Sequence, residues 1–240
     1  MKRQMIFRQL YYDRQLIDGA TISFFTESND QDASVTLMSE DQAIRWLFNN
    51  SPIKDIFIDG FFLEPSYVVP FFGLREPFTD VHKKPGDIDL LLVDERFPNS
   101  TIAFECKRVK AISIDADNAK VNNINGIRHG VIQANKYQSL GFHKSYLMII
   151  MLEDSRTLDA GNAMMRNSKS EDVEKIYEIP WNEKLHDDVG IVFVNVTQPT
   201  GKHYNSMGGI GFCIDKPAQS LDQTIEMTNK VKRLLKGIPK

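Results

Sequence analysis

Pro85-Gly86-Asp87-Ile88-Asp89-Leu90-Leu91-Leu92 and Ile102-Ala103-Phe104-Glu105-Cys106-Lys107 are the two stretches that decide how this chain folds. Each sets acids against an apolar run of strand length, and Asp94-Glu95-Arg96-Phe97-Pro98-Asn99-Ser100 between them is a polar connector. The pattern predicts strands over 88–93 and 101–109, joined as an antiparallel hairpin. With the turn centred on Phe97, residues equidistant from it face each other, so Asp89 meets Glu105 and Asp87 meets Lys107. Side chains alternate with a period of two, which puts these four on one face at one end of the hairpin. Carboxylates sunk at the end of a buried strand are costly unless a cation compensates them.

Outward from the hairpin, Ser39-Glu40-Asp41-Gln42 has the form of a capping box and predicts a helix over 39–49. Residues 55–80 are rich in aromatics, Gly and Pro, and predict short strands and loops with the aromatics in the core. A helical pattern runs from Gly126 to Leu140 with Gly141 placed to end it, followed by a buried strand over 146–152. Residues 154–188 turn charged and small-sided and are expected to be a polar insertion, before a strand over 191–196. Gly208-Gly209-Ile210-Gly211 is expected to be a turn. Residues 220–236 space Leu221, Ile225, Val231, Leu234 and Leu235 helically, with Lys230, Lys232, Arg233 and Lys236 outward. With neither repeat nor linker visible, one domain over 1–240 is expected, its core at 39–152 plus the strand at 191–196.

A chain of 240 residues with 42% hydrophobic content can bury a sizeable core. A net charge of -3 and a pI near 6.0 exclude a protein that coats nucleic acid through bulk charge, so polyanion contact requires a local basic patch. Two cysteines and five scattered histidines make neither a disulfide framework nor a zinc cluster, which points to a reducing, cytoplasmic setting. The positive start, Met1 to Arg8, lacks the apolar core of a secretory signal. The apolar run from Ile56 to Leu74 is interrupted by Asp59, Gly60, Glu64, Pro65 and Pro70, so no membrane segment is expected.

Two facing carboxylates, Asp89 and Glu105, offer hard oxygen ligands to Mg²⁺ or Mn²⁺, with the Cys106 carbonyl as a further oxygen and Lys107 as an adjacent ammonium. An Asp followed by Glu-x-Lys across a hairpin, with Pro-Gly-Asp before it and a helix and strand after it, resembles the PD-(D/E)xK nuclease superfamily. The resemblance spans about residues 85–152. It implies a restriction-endonuclease-like α/β fold, a mixed β-sheet flanked by helices, and a Mg²⁺-dependent nuclease hydrolysing DNA phosphodiester bonds. On that resemblance Asp89 and Glu105 are metal ligands, Lys107 is the catalytic lysine, and Asp87 is a helper or an alternative ligand.

Gln133-Ala134-Asn135-Lys136-Tyr137 resembles the Gln-x-x-x-Tyr signature of the RecB-like exonuclease branch, where the pair supports the site and contacts the DNA strand. Four-residue spacing equally suits a helix face whose Tyr137 caps the core and whose Gln133 is solvated. Superfamily members often carry another acid on the preceding helix; Glu40 and Asp41 stand there, where the helix dipole also favours acids. Lys136 and Arg108, ahead of Lys83, Lys84, Lys110 and Arg128, are the candidates for a local phosphate track. The alternative is a non-catalytic nucleic-acid-binding or assembly module of the same fold in a defence or repair complex. DNA is the expected partner, and the oligomeric state is left open.

Overall fold

A computed structural model of the chain describes residues 6–13, 37–49, 51–75, 78, 87–113, 119–154, 169–198 and 207–237. Its strands are β1 (Ile6–Asp13), β2 (Val68–Leu74), β3 (Ile88–Asp94), β4 (Ile102–Ser113), β5 (Ala119–Asn122), β6 (Lys144–Asp154), β7 (Gly190–Gln198) and β8 (Met207–Lys216). Its α-helices are α1 (Glu40–Asn49), α2 (Ser51–Asp59), α3 (Gly126–Ser139), α4 (Ser170–Asn182) and α5 (Ile225–Lys236). The strands form one sheet in the order β1-β8-β7-β6-β4-β3-β2, with β5 also pairing β4. β4, β6 and β7 run parallel and the other pairings are antiparallel, so the sheet is mixed.

Helices cover both faces, giving the α/β architecture expected from the sequence. On one face α1 and α2 lay Ile44, Leu47, Phe57 and Ile58 over Phe104, Cys106, Met148 and Val194. On the other, α3 and α4 lay Val131, Ala134, Ile176 and Ile179 over Val109, Leu147, Ile149 and Phe193. Beside them Tyr137 of α3 and Met227 and Val231 of α5 pack on Leu91, Val93 and Ala103. The parallel strand β6 is apolar on both sides from Tyr146 to Leu152, as a strand covered by helices twice over must be. Among the described residues no helix is long and apolar enough to cross a membrane.

The capping box forms as read: Gln42 N–H donates to Ser39 Oγ at 3.1 Å and Ser39 N–H to Gln42 Oε1 at 2.7 Å. Three expectations are corrected. Residues 51–59, partly assigned to short strands and loops, are the helix α2, because Ile53, Phe57 and Ile58 present one apolar face to the sheet. Gly208-Gly209-Ile210-Gly211 is not a turn but part of β8, held from both sides by β1 and β7. The helix expected over 220–236 begins only at Ile225, where the Thr224 hydroxyl caps the Met227 N–H at 3.1 Å. Within the segment read as a polar insertion, α4 buries Ile176 and Ile179 against the sheet. Pro85, Gly86, Lys83 and Lys84 lie outside the described residues.

Candidate active site

β4 is paired along one edge by β6 from Ile102 to Ala111. Its other edge is shared: β3 pairs it only at Leu90↔Phe104, Leu91↔Ala103 and Leu92↔Ile102, and β5 only from Lys110 to Ser113. Between them, among the described residues, the ladder is open. The N–H groups of Cys106 and Arg108, which would point at a neighbouring strand, are taken by carboxylates instead: Cys106 N–H donates to Asp89 Oδ2 at 2.7 Å, and Arg108 N–H to Glu40 Oε2 at 2.9 Å. Buried backbone donors need partners, and here two acids from other elements supply them.

The register therefore agrees with a turn centred on Phe97 at three pairs and stops one residue short of the acids. Asp89 does not face Glu105 across a ladder; it reaches into the gap. Gly73 of β2, at φ +60°, lies between the pairs Phe72↔Leu90 and Leu74↔Ile88, where the edge strand turns beside Asp89. The pairing of Asp87 with Lys107 is corrected too. Asp87 forms an ion pair with Arg75, and its carbonyl accepts from the Tyr137 hydroxyl.

Glu105 is fully buried. Lys107 Nζ lies 2.5 Å from Glu105 Oε1, 3.8 Å from Glu40 Oε1, and donates to the Cys106 carbonyl at 2.8 Å. The lysine thus holds the backbone oxygen expected to serve a metal. The Tyr137 hydroxyl, whose single proton is shared with the Asp87 carbonyl, also donates to Glu105 Oε2 at 2.6 Å. The lysine stem crosses α3 at Gly130, where a Cβ would sit 2.5 Å from Lys107 Cγ and 2.9 Å from Leu147 Cδ1. Only a glycine admits that approach.

Burial pushes the Asp89 carboxyl up to about 6 despite the Cys106 N–H that favours its charge. Burial, then the neighbouring Asp89 charge, pushes Glu105 up to about 7. Burial alone would lower Lys107, yet Glu105 and Glu40 outweigh it and hold the ammonium above its ordinary value. Burial and the adjacent carboxylates raise Tyr137, so its hydroxyl stays a donor. Burial raises Cys106 well above an ordinary thiol, in keeping with a side chain packed under α1 and α2.

The donor set suits a hard cation. Among the described residues Glu105 Oε1 has the Lys107 ion pair but no aligned hydrogen bond, and Asp89 accepts through Oδ2 and leaves Oδ1. Two carboxylates that repel each other while half-neutralised are what a divalent ion relieves. Among the described residues no three His, Cys, Asp or Glu side chains gather as a metal cage, so Asp89 and Glu105 would hold the ion with waters and substrate completing its shell.

Beside Lys107 opens a cleft of about 700 Å³, lined by Glu40, Lys107 and Arg108 on one side, residues 121–126 on the other, and Asp172 and Lys175 of α4. Of the residues read from sequence, the fold brings together Asp89, Glu105, Cys106, Lys107, Tyr137, Glu40 and Arg108, with Asp87 behind Tyr137. Gln133 is half-buried one turn before Tyr137; Lys136 is half-buried in the last turn of α3 and does not line the cleft. Sequence reasoning missed Arg75, Gly130, Lys175 and the amide-rich Asn122-Asn123-Ile124-Asn125. That last run was visible as a string of side chains that both donate and accept.

No protein-family model matches the chain, and no curated protein matches it. Among solved structures, that of Pyrococcus furiosus SfsA in complex with Ca²⁺ aligns at a TM-score of 0.30 and 12% identity. The alignment covers 62% of this chain and 57% of that one.

Proposed function

We propose that this chain is a divalent-metal-dependent nuclease of the PD-(D/E)xK kind, hydrolysing DNA phosphodiester bonds, with Asp89 and Glu105 as metal ligands and Lys107 as the catalytic lysine. The observation that carries this reading is the break in the sheet, where Asp89, Glu105 and Lys107 converge. A merely structural Lys–Glu pair would need one buried acid. A second acid, half-buried beside it and short of compensating charge, is an expense that folding alone does not explain.

A bound Mg²⁺ would polarise a phosphoryl oxygen and acidify a water. The protein groups do the positioning. Tyr137 fixes one Glu105 oxygen and leaves the other toward Lys107. Lys107, kept charged by Glu105 and Glu40 and opening on the cleft, is set to steady the charge that grows on the phosphate oxygens during attack. Glu40, as the acid that accepts the Arg108 N–H and faces Lys107, is a positioning residue.

The test is cleavage of labelled single-stranded and duplex DNA with Mg²⁺ and with chelator. Mg²⁺-dependent cutting is expected, reduced about a hundredfold or more in Glu105→Gln and Lys107→Ala. DNA bound but left intact under every condition would return the non-catalytic module; undiminished cutting by both variants would remove this site from the reaction.

A further inference from the structure

The reacting groups are recessed. Glu105 has no exposed surface, and the Lys107 side chain is only 16% exposed, opening on the cleft between β4 and the turn before α3. At about 700 Å³ the space is the size of an ordinary small-ligand pocket, roughly 300–1,000 Å³, and has room for one or two nucleotides. An unpaired strand can turn a nucleotide in toward so recessed a lysine without the cost of unpairing and unstacking that a duplex would meet in doing the same.

The lining matches that occupant. Asn122, Asn123 and Asn125 contribute amides that both donate and accept, the chemistry of base edges and sugar hydroxyls. Asn123 stands at φ +70° in the turn between β5 and α3, the turn that carries all three asparagines to the cleft lining. Among the described residues no aromatic side chain lines the cleft, so nucleotides would be held by their edges and phosphates and not by stacking. Two cations besides Lys107 are in the lining: Arg108, whose guanidinium donates to the Met38 carbonyl, and Lys175, whose side chain is 58% exposed beside Asp172 at 3.5 Å.

We infer that this cleft is the seat of an unpaired strand, so that the enzyme cuts single-stranded nucleic acid in preference to duplex. The inference rests on the nuclease reading above and names the form of its substrate. Asn122, Asn123 and Asn125 hold the nucleotides next to the scissile phosphate, and Lys175 takes a flanking phosphate.

The test compares initial rates in Mg²⁺ on a labelled DNA strand and on the same strand annealed to its complement. The single strand is expected to be cut about tenfold faster or more, because the duplex must first lose pairing and stacking. Asn125→Ala and Lys175→Ala are expected to raise KM for the single strand several-fold and to lower kcat by less. Duplex cut as fast or faster, or an unchanged KM in both variants, would overturn the inference while leaving the nuclease reading intact. Cleavage of neither form would remove both.

Discussion

Asp89→Asn isolates the electrostatic cost of the site. The carboxyl is raised from an ordinary 3.8 to about 6, so the folded chain binds this proton more tightly than the unfolded chain does. Below about pH 4 both states are protonated and the group contributes nothing to the pH dependence. As pH climbs from about 4 to 6 the unfolded state loses its proton first, so stability falls across that window and stays lower above it. Raising a carboxyl from 3.8 to about 6 corresponds to about 3 kcal/mol. Asparagine keeps the shape and the acceptor for the Cys106 N–H at 2.7 Å, and sheds the charge that repels Glu105. Without divalent ions, Asp89→Asn should therefore be more stable than the parent at about pH 8, by up to about 3 kcal/mol, or about 6–12 °C in Tm. Near pH 4 the two should melt together. Mg²⁺ at a hundred times its Kd should restore about 2.7 kcal/mol to the parent and nothing to the variant. Thermal unfolding at the two pH values, with chelator and with Mg²⁺, reads all of this. A variant less stable than the parent at pH 8 in chelator would refute the account of Asp89 as an uncompensated acid.

Other perturbations probe the neighbours. Tyr137→Phe removes the hydroxyl at 2.6 Å that favours the charged form of Glu105, so the acidic limb of the rate profile should move to higher pH and stability should drop by about 1–3 kcal/mol. A limb that stays in place would contradict the coupling. Metal binding requires both carboxylates deprotonated, at about 6 and about 7, so Mn²⁺ affinity by calorimetry should weaken steadily as pH falls from about 8 to 5; a flat profile would exclude these ligands. Gly130→Ala places a methyl 2.5 Å from Lys107 Cγ and should cut the cleavage rate about a hundredfold by displacing the lysine, while leaving metal-induced stabilisation in place. Full activity in that variant would show that the Lys107 position is not critical.

The hairpin was legible because its connector is polar and its flanks are apolar, which locates the turn at Phe97 and the register at Leu90, Leu91 and Leu92. The break beyond Leu90 was not, since parity says which face a residue takes but not whether its carboxylate pairs across the strands or slips between them to take the Cys106 N–H. Glu40 was ambiguous for a related reason: a first-turn acid looks the same whether it serves the helix dipole or reaches across to Arg108. Asp87 was assigned to Lys107 by spacing alone, and its partner Arg75 lies just past the end of β2, with no fixed relation to it in sequence. The helix at 51–59 was hidden by the turn-rich residues after it, and the β8 glycines by a composition that reads as loop until two neighbouring strands enclose it. The cleft wall is a polar run without periodicity, so nothing local marks it as a surface that faces Lys107.

The most direct test of the central claim is a crystal of the protein soaked in Mn²⁺, with the ion located by its anomalous scattering. A peak bound by both Asp89 and Glu105, and lost in Glu105→Gln, is the predicted result. Strong Mn²⁺ peaks elsewhere, with none between those two carboxylates at a pH above both their pKa values, would contradict it.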